Sequence, residues 1–482
     1  MPGRRTKIVA TVGPATDDPR VLRALVLAGA NAVRVSLAHG DVSDARRRIE
    51  AVRSVAADVG RPVGVLVDLP GPKLRVRQFV EGGAWLAEGA VLELREEQGA
   101  ESTGEVIRVD ATDVVNQLAV GDRVALGDGG VAVSVERIID STTAVAVVRS
   151  GGQVQGRPGL HLPASRVSAS TPTPEDLRLL EQVIDAGVDA VAISFVRSAE
   201  DLHRARRACD RVGALVVAKI ETQEAVDDLD AIVQAADVIM VARGDLGVRC
   251  RLEDVPHYQK QIIKAGIFYG RPVITATQML ESMVHAPVPT RAEVSDVANA
   301  VFDGTSAVML SGETAIGHDP AGVVRTMSTI AARAEREFKH DVWSANLLDD
   351  QPARLMGASP TQRITEATSA AAFRAAVDSG AVAIIAATNS GTTARVIARF
   401  RPPVPIMAVT PHSRTYRQLT FSWGVLPVLA EQRASTDDIV WFAVKEAVER
   451  GLARSDEAVA VVAGDPSDPQ PATDTLRLVR VR

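Results

Sequence analysis

Cysteine is nearly absent: Cys209 and Cys250 are the two in 482 residues, and neither lies near a CxxC spacing or a histidine cluster. That excludes a disulfide framework and a thiolate zinc site, and it fits a reducing compartment. Aromatic residues make up 3% of the chain, so its cores must be built from Ala, Val, Leu and Ile. Long apolar runs are missing too: none approaches the roughly 20 residues of a membrane-spanning helix. The basic start, Arg4-Arg5-Thr6-Lys7, is followed by a hydrophobic run too short for a secretory signal. A soluble, cytoplasmic protein without membrane contact is expected. An excess of positive charge is also lacking: the formal net charge is −6. This argues against a nucleic-acid-binding surface, while leaving room for a local cationic pocket.

What is there is a globular composition, 46% hydrophobic and 24% charged, long enough for about three domains. Short apolar, β-branched runs recur at residues 8–11, 32–36, 63–68, 190–194, 215–219, 238–241, 272–275 and 307–310, with helical stretches between them. Their continuous apolar character suits parallel strands covered on both faces. These repeated units predict an α/β fold, a (β/α)8 barrel, with an open sheet as the alternative. Thr16 or Asp17 is expected to cap the first helix, which ends at Ala28-Gly29.

The third connection breaks the pattern. Short strand-like pieces at 85–86, 91–94, 124–126, 131–135 and 143–148, separated by Gly-rich turns, predict a small β-barrel domain inserted as a lid. After the eighth unit, 338–360 reads as a linker. A further α/β block follows, with strands at 382–388, 405–410, 425–429, 458–463 and 475–481. The expected domains are thus the barrel, 1–71 and 170–345; the lid, 72–169; and a C-terminal α/β domain, 346–482.

Barrel enzymes carry their chemistry at the C-terminal ends of the strands. Here those ends hold Arg34, Ser36 and His39 after strand two, and Asp68, Lys73 and Arg75 after strand three. They hold Lys219 and Glu221 after strand five, and Arg243, Gly244 and Asp245 after strand six. Thr275, Thr277 and Gln278 follow strand seven, and Ser311, Glu313 and Thr314 follow strand eight. Singly, each has a bland reading: Lys219 as a snorkelling side chain, Arg34 as a structural ion pair, Glu221 and Asp245 as helix-start carboxylates, Thr277 and Ser311 as N-caps. Their coincidence at one mouth points to chemistry. Glu221 and Asp245 on adjacent strands can hold Mg²⁺ and leave positions for substrate oxygens. Lys219 and Arg34 can neutralise and fork a phosphoryl group. Backbone N–H groups at Gly244 and Asp245 suit a substrate carboxylate, and Thr277 and Ser311 can orient a water for proton transfer to carbon. Phosphoryl transfer coupled to enolate chemistry is the inference from these residues, which do not name the substrate.

Several long segments resemble pyruvate kinases: Lys7-Ile-Val-Ala-Thr-Val-Gly-Pro14, Val238-Ile-Met-Val-Ala-Arg-Gly-Asp-Leu-Gly247, Pro272-Val-Ile-Thr-Ala-Thr-Gln-Met-Leu-Glu-Ser-Met283, Pro289-Thr-Arg-Ala-Glu293 and Met309-Leu-Ser-Gly-Glu-Thr314. The resemblance spans nearly the whole chain. It implies phosphoenolpyruvate and ADP as substrates, pyruvate and ATP as products, and Mg²⁺, or Mn²⁺ in its place, as cofactor. By position it makes Glu221 and Asp245 the metal ligands and Lys219 the transition-state stabiliser. It sets Arg34 on the transferred phosphoryl, Thr277 and the Gly244–Asp245 backbone on the substrate, Ser311 on the proton path, and His39 and Arg75 on the nucleotide. A homotetramer is implied as well.

The chain departs from that pattern around a monovalent-cation site. Ser36-Leu-Ala-His-Gly40 stands where Asn-Phe-Ser-His-Gly is usual, and Leu69 where a Thr usually follows Asp68. Ala38 and Leu69 cannot donate side-chain oxygens to K⁺. Lys73 replaces a usual Glu, and in the resembled family that Lys accompanies K⁺-independent activity. Lys73, with Asp68 and Ser36, is therefore expected to stand in for K⁺. In the lid, Pro158 replaces a usual Lys, with Arg157 as a substitute cation, and Gly127 leaves Asp128 as the remaining acid of its turn. In the C-terminal domain Thr388, Ser390, Gly391, Thr392 and Thr393 form a loop that could cradle a phosphorylated effector, with a plain Ser/Thr helix cap as the alternative. The acidic, Pro-rich 465–470 stretch argues against fructose 1,6-bisphosphate there. Competing readings are another Mg²⁺-and-enolate barrel, such as a lyase, and a degenerate regulatory paralogue.

Overall fold

The structure, a computed structural model, describes residues 4–127, 129–163, 170–465 and 472–482. The apolar runs form eight parallel strands: Lys7–Thr11, Ala32–Ser36, Gly64–Asp68, Ala190–Ile193, Leu215–Ile220, Val238–Ala242, Val273–Ala276 and Ala307–Leu310. Each pairs with its neighbour in sequence, and the eighth pairs with the first, closing the barrel. Nearly every strand residue is buried because helices cover the outside and side chains such as Val9, Leu66, Val217, Met240 and Ile274 fill the inside.

The first helix, Pro19–Ala28, is capped by Asp18, whose side chain accepts from the Arg20 N–H, and not by Thr16 or Asp17. Thr16 is committed elsewhere: its hydroxyl bonds back to Gly13 across a short 3₁₀ turn, Pro14–Thr16. The expected linker is also corrected. Residues His340–Asp349 and Gln351–Arg354 are helices. Buried Leu347 packs into the barrel's outer core and the Trp343 ring lies against Gly304, while Trp343 Nε1 donates to the Arg399 carbonyl of the C-terminal domain at 2.8 Å.

The lid leaves the barrel after Asp68. Its main sheet has seven strands, running from Leu74–Arg75 at one edge to Val106–Val109 at the other. An antiparallel bridge between Val76 and Val109 joins those edges, so the sheet curls into a small barrel around its own apolar core. The strands Leu74–Arg75, Val106–Val109, Gly152–Val154 and Gly159–His161 were not expected from the sequence. The C-terminal sheet carries four parallel strands and one antiparallel edge strand, Thr475–Arg480. It docks on the barrel's N-terminal end: Arg417 reaches Asp189 at 2.8 Å, and Lys7 Nζ donates to the Val425 carbonyl at 2.7 Å.

Candidate active site

The polar residues gather where the strands end, under the lid. Lys219, on strand five, is buried, which removes the snorkelling reading. Its ammonium lies 3.3 Å from Asp68 Oδ1 and 3.5 Å from Glu221 Oε2, and it donates to Ser194 Oγ at 2.5 Å. Burial alone would lower the Lys219 pKa, but the Asp68 and Glu221 carboxylates outweigh it and raise the pKa, so the ammonium stays charged. Arg34 Nε donates to Asp68 Oδ2 at 2.6 Å. Burial would raise Asp68, yet Lys219 and Arg34 hold its carboxyl below the usual range. Arg34 is therefore paired at the mouth of the barrel, not at its bottom.

Glu221 is fully buried, and burial pushes its carboxyl up to about 7 against the pull of Lys219. Its Oε1 accepts the Phe195 N–H at 2.6 Å, while Oε2 has no hydrogen-bond partner among the described residues. Asp245 lies in the first turn of the short helix Arg243–Arg249; burial would raise it, but Lys73 and Lys219 lead the charges that lower it. A buried carboxylate oxygen that meets only the Lys219 ammonium, at 3.5 Å and without a hydrogen bond among the described residues, fits a divalent cation when a second carboxylate lies nearby. Among the described residues no group of three or more His, Cys, Asp and Glu side chains is gathered to hold a metal. Glu221 and Asp245 would thus hold the ion with substrate and water oxygens completing its shell.

Thr277 is not an N-cap. It adopts φ +70°, a left-handed conformation costly for a β-branched residue. Its hydroxyl donates to the Ala276 carbonyl at 2.6 Å and accepts the Gly244 N–H at 2.8 Å. Arg243 braces the turn, donating to the carbonyls of Thr277 at 2.6 Å and Ala276 at 3.2 Å while paired with Asp296 at 2.7 Å. Ser311 begins the helix Gly312–Ala315 without a side-chain cap bond; Glu313, fully buried, instead accepts the Ser311 N–H at 2.6 Å.

Lys73 and the lid close the mouth from above. Lys73 Nζ lies 3.7 Å from Asp245 Oδ1, whereas both oxygens of Asp68 face Arg34 and Lys219. Ser36 Oγ accepts the Ala38 N–H at 3.3 Å. His39 is exposed, and partial desolvation, followed by the charges of Arg75, Arg34 and Lys73, lowers its pKa. Arg75 donates to the Arg157 carbonyl at 3.3 Å, and the Arg157 side chain is engaged with Asp110 at 2.5 Å. A Cβ on Gly129 would meet Val248 at 3.2 Å, so the lid tip rests on the Arg243–Arg249 helix. Asp128 lies outside the described residues.

In the C-terminal domain Thr388, Ser390, Thr392 and Thr393 line a cavity of about 560 Å³ with Arg395 and Arg433. Gly391, at φ +85°, turns the loop, and its N–H donates to Thr388 Oγ1 at 2.9 Å. The helix that follows, Thr392–Ala398, has Gly391 as its N-cap, and Ser390 Oγ accepts the Thr392 N–H at 3.4 Å. Asp465 lines the same cavity; residues 466–470 lie outside the described residues.

Comparison with known proteins agrees with this geometry. Residues 3–324 match the family model described as pyruvate kinase, barrel domain, and residues 366–479 match pyruvate kinase, alpha/beta domain. The chain belongs to the pyruvate kinase family. A pyruvate kinase of Clostridium acetobutylicum is 36% identical over 98% of this chain and 99% of its own length. Those of Methylorubrum extorquens and Mycobacterium intracellulare are each 39% identical over 99% of this chain and 98% of theirs. Pyruvate kinases use a divalent metal, as the Glu221–Asp245 pair would require.

Sequence reasoning missed Ser194 and Phe195, which follow strand four and hold Lys219 and Glu221. The strand-end rule applied to strand four would have found them. Arg249, at the end of its helix, carried no sequence signal; its place over the Phe195 ring, 4.5 Å from the centroid, is a product of the fold.

Proposed function

We propose that this chain transfers the phosphoryl group of phosphoenolpyruvate to ADP, giving pyruvate and ATP, with Mg²⁺ as its divalent ion and without a need for K⁺. The observation that carries this reading is the buried Lys219 ammonium set between Asp68 and Glu221 at the barrel mouth. A charged group fixed there can neutralise a phosphoryl in flight without reorganisation. Arg34, oriented by Asp68, binds the transferred phosphoryl. Mg²⁺ held by Glu221 and Asp245 would supply charge neutralisation at the phosphoryl and enolate oxygens. The P–O bond to the substrate's enol oxygen breaks as one to the ADP terminal phosphate oxygen forms, and the enolate takes a proton at its methylene carbon. Ser311 and Thr277 lie at the ends of strands eight and seven, where they orient that proton's path. The Gly244 N–H, now given to Thr277, is placed to turn to a substrate carboxylate. His39 and Arg75 take the nucleotide.

Lys73 supports K⁺ independence because its charge stands beside Asp245 while buried Leu69 and Ala38 offer no side-chain oxygen. The 388–393 loop is read as an effector-phosphate site, and the assembly as a homotetramer. A lactate-dehydrogenase-coupled assay tests the activity. NADH oxidation should require phosphoenolpyruvate, ADP and Mg²⁺ together; phosphoenolpyruvate binding without turnover at saturating Mg²⁺ would point to a regulatory paralogue.

A further inference from the structure

Phe195 is held in a conformation that its type resists. Its φ is +58°, in the left-handed region that a bulky side chain disfavours. In that conformation its N–H meets Glu221 Oε1 at 2.6 Å, while Oε2, 3.5 Å from the Lys219 ammonium, has no hydrogen-bond partner among the described residues. The adjoining Ser194 hydroxyl donates to the Leu69 carbonyl at 2.7 Å and accepts from Lys219, so the Ser194–Phe195 turn sets both the cation and the carboxylate of the site.

Two neighbours meet the ring. One is Gly71, where the chain leaves for the lid: a Cβ there would sit 2.6 Å from Phe195 Cδ2 and 2.9 Å from Ser194 Cβ. Another is the Arg249 guanidinium, 4.5 Å from the ring centroid. Arg249 is not explained by pairing alone. Burial lowers its pKa, its buried Nε has no hydrogen-bond partner among the described residues, and Glu221 and Asp245 are the charges that act on it most. A cation so placed opposes the approach of a metal by charge, so its contribution to the site must come from the stack. The helix that ends in Arg249 also carries Val248, on which the lid tip rests.

The geometry points to the Phe195–Arg249 stack as the positioning device for Glu221, which holds one carboxylate oxygen on the Phe195 N–H so that the other is presented to the divalent ion. Phe195 and Arg249 are positioning residues here, not catalytic ones. The inference rests on reading Glu221 as a metal ligand. Because the ring meets both Gly71 and Arg249, the orientation of Glu221 is tied to the segment where the chain leaves for the lid.

The test is Mn²⁺ binding to the full-length protein without substrates, measured by electron paramagnetic resonance, on the wild type, Glu221→Gln, Phe195→Leu, Arg249→Lys and Arg251→Lys. Phe195→Leu keeps apolar bulk and removes the ring; Arg249→Lys keeps the charge and removes the planar stacking group. Loss of an orienting partner of this kind weakens metal affinity by about tenfold or more. Both variants should show that rise in Kd with unchanged circular dichroism, and Arg251→Lys, on an exposed residue, should bind as the wild type does. If Glu221→Gln weakens Mn²⁺ but neither stack variant does, the positioning role is wrong. If Glu221→Gln itself leaves Mn²⁺ binding unchanged, the metal-ligand reading falls and the inference with it.

Discussion

The hydroxyl of Thr277 lies 2.8 Å from the Gly244 nitrogen and accepts its N–H, joining the ends of strands six and seven across the barrel mouth. Thr277→Ala removes that acceptor, and with it a hydroxyl at the proposed proton path. The expected outcome is a kcat about 10²-fold lower, with Thr277→Ser retaining most of the activity; steady-state kinetics on both variants checks it.

Lys219→Met should be more severe. It deletes the preorganised charge and leaves Asp68 and Glu221 facing one another with Arg34 as their nearby compensation. A kcat loss of about 10³-fold is expected. Stability should also fall, by roughly 3 kcal/mol, because a buried pair is broken from one side. Chemical denaturation measured alongside kinetics separates the two effects.

Lys7 predicts a pH dependence of stability. Burial, then Arg4, pushes its ammonium down to about 7, although its Nζ donates to the Val425 carbonyl. Below pH 7 the amine is protonated in both folded and unfolded chains, and the full cost of burying the charge is present. Between pH 7 and its ordinary value of 10.5 the unfolded chain holds the proton and the folded chain does not, so stability rises with pH. Relative to Lys7→Met, the wild type should gain about 2 kcal/mol between pH 7 and 9. Denaturant midpoints of the two proteins across that range read the difference; a constant offset contradicts the assignment.

Gly304 is a purely structural test. At φ +91°, an added Cβ would lie 2.2 Å from the Trp343 ring. Gly304→Ala should therefore cost about 2 kcal/mol or more by strain and overpacking. It should loosen the helix His340–Asp349 from the barrel, visible as a lower melting temperature and a shift in Trp fluorescence.

The barrel was legible because parallel strands covered on both faces write themselves as continuous apolar runs, and all eight fall within a residue or two of their expected ends. The lid was legible only in part: Leu74–Arg75 and Gly159–His161 are too short to show a period, and their pairing is set by the closure between Val76 and Val109. The segment around Trp343 read as a linker because its burial depends on Gly304 and Arg399, distant in sequence. At the site, residue types at strand ends could be read, but backbone strain could not. Nothing in the letters of Phe195 or Thr277 announces a left-handed φ, which the surrounding fold imposes. Lys73 was legible as a charge that could replace K⁺, but not the 3.7 Å approach to Asp245 that locates the charge.

Lys73→Gln follows from that approach. Removing the ammonium beside Asp245 should lower activity measured without K⁺ by about tenfold or more, the scale of one lost charge in a partly dry site. Added K⁺ should restore part of it.

The most direct measurement is the initial rate of pyruvate formation from phosphoenolpyruvate and ADP at saturating Mg²⁺, with tetramethylammonium as the only monovalent cation and again with K⁺ added. The account predicts rapid turnover in the first condition and little change in the second. Turnover that appears only on adding K⁺ would contradict it.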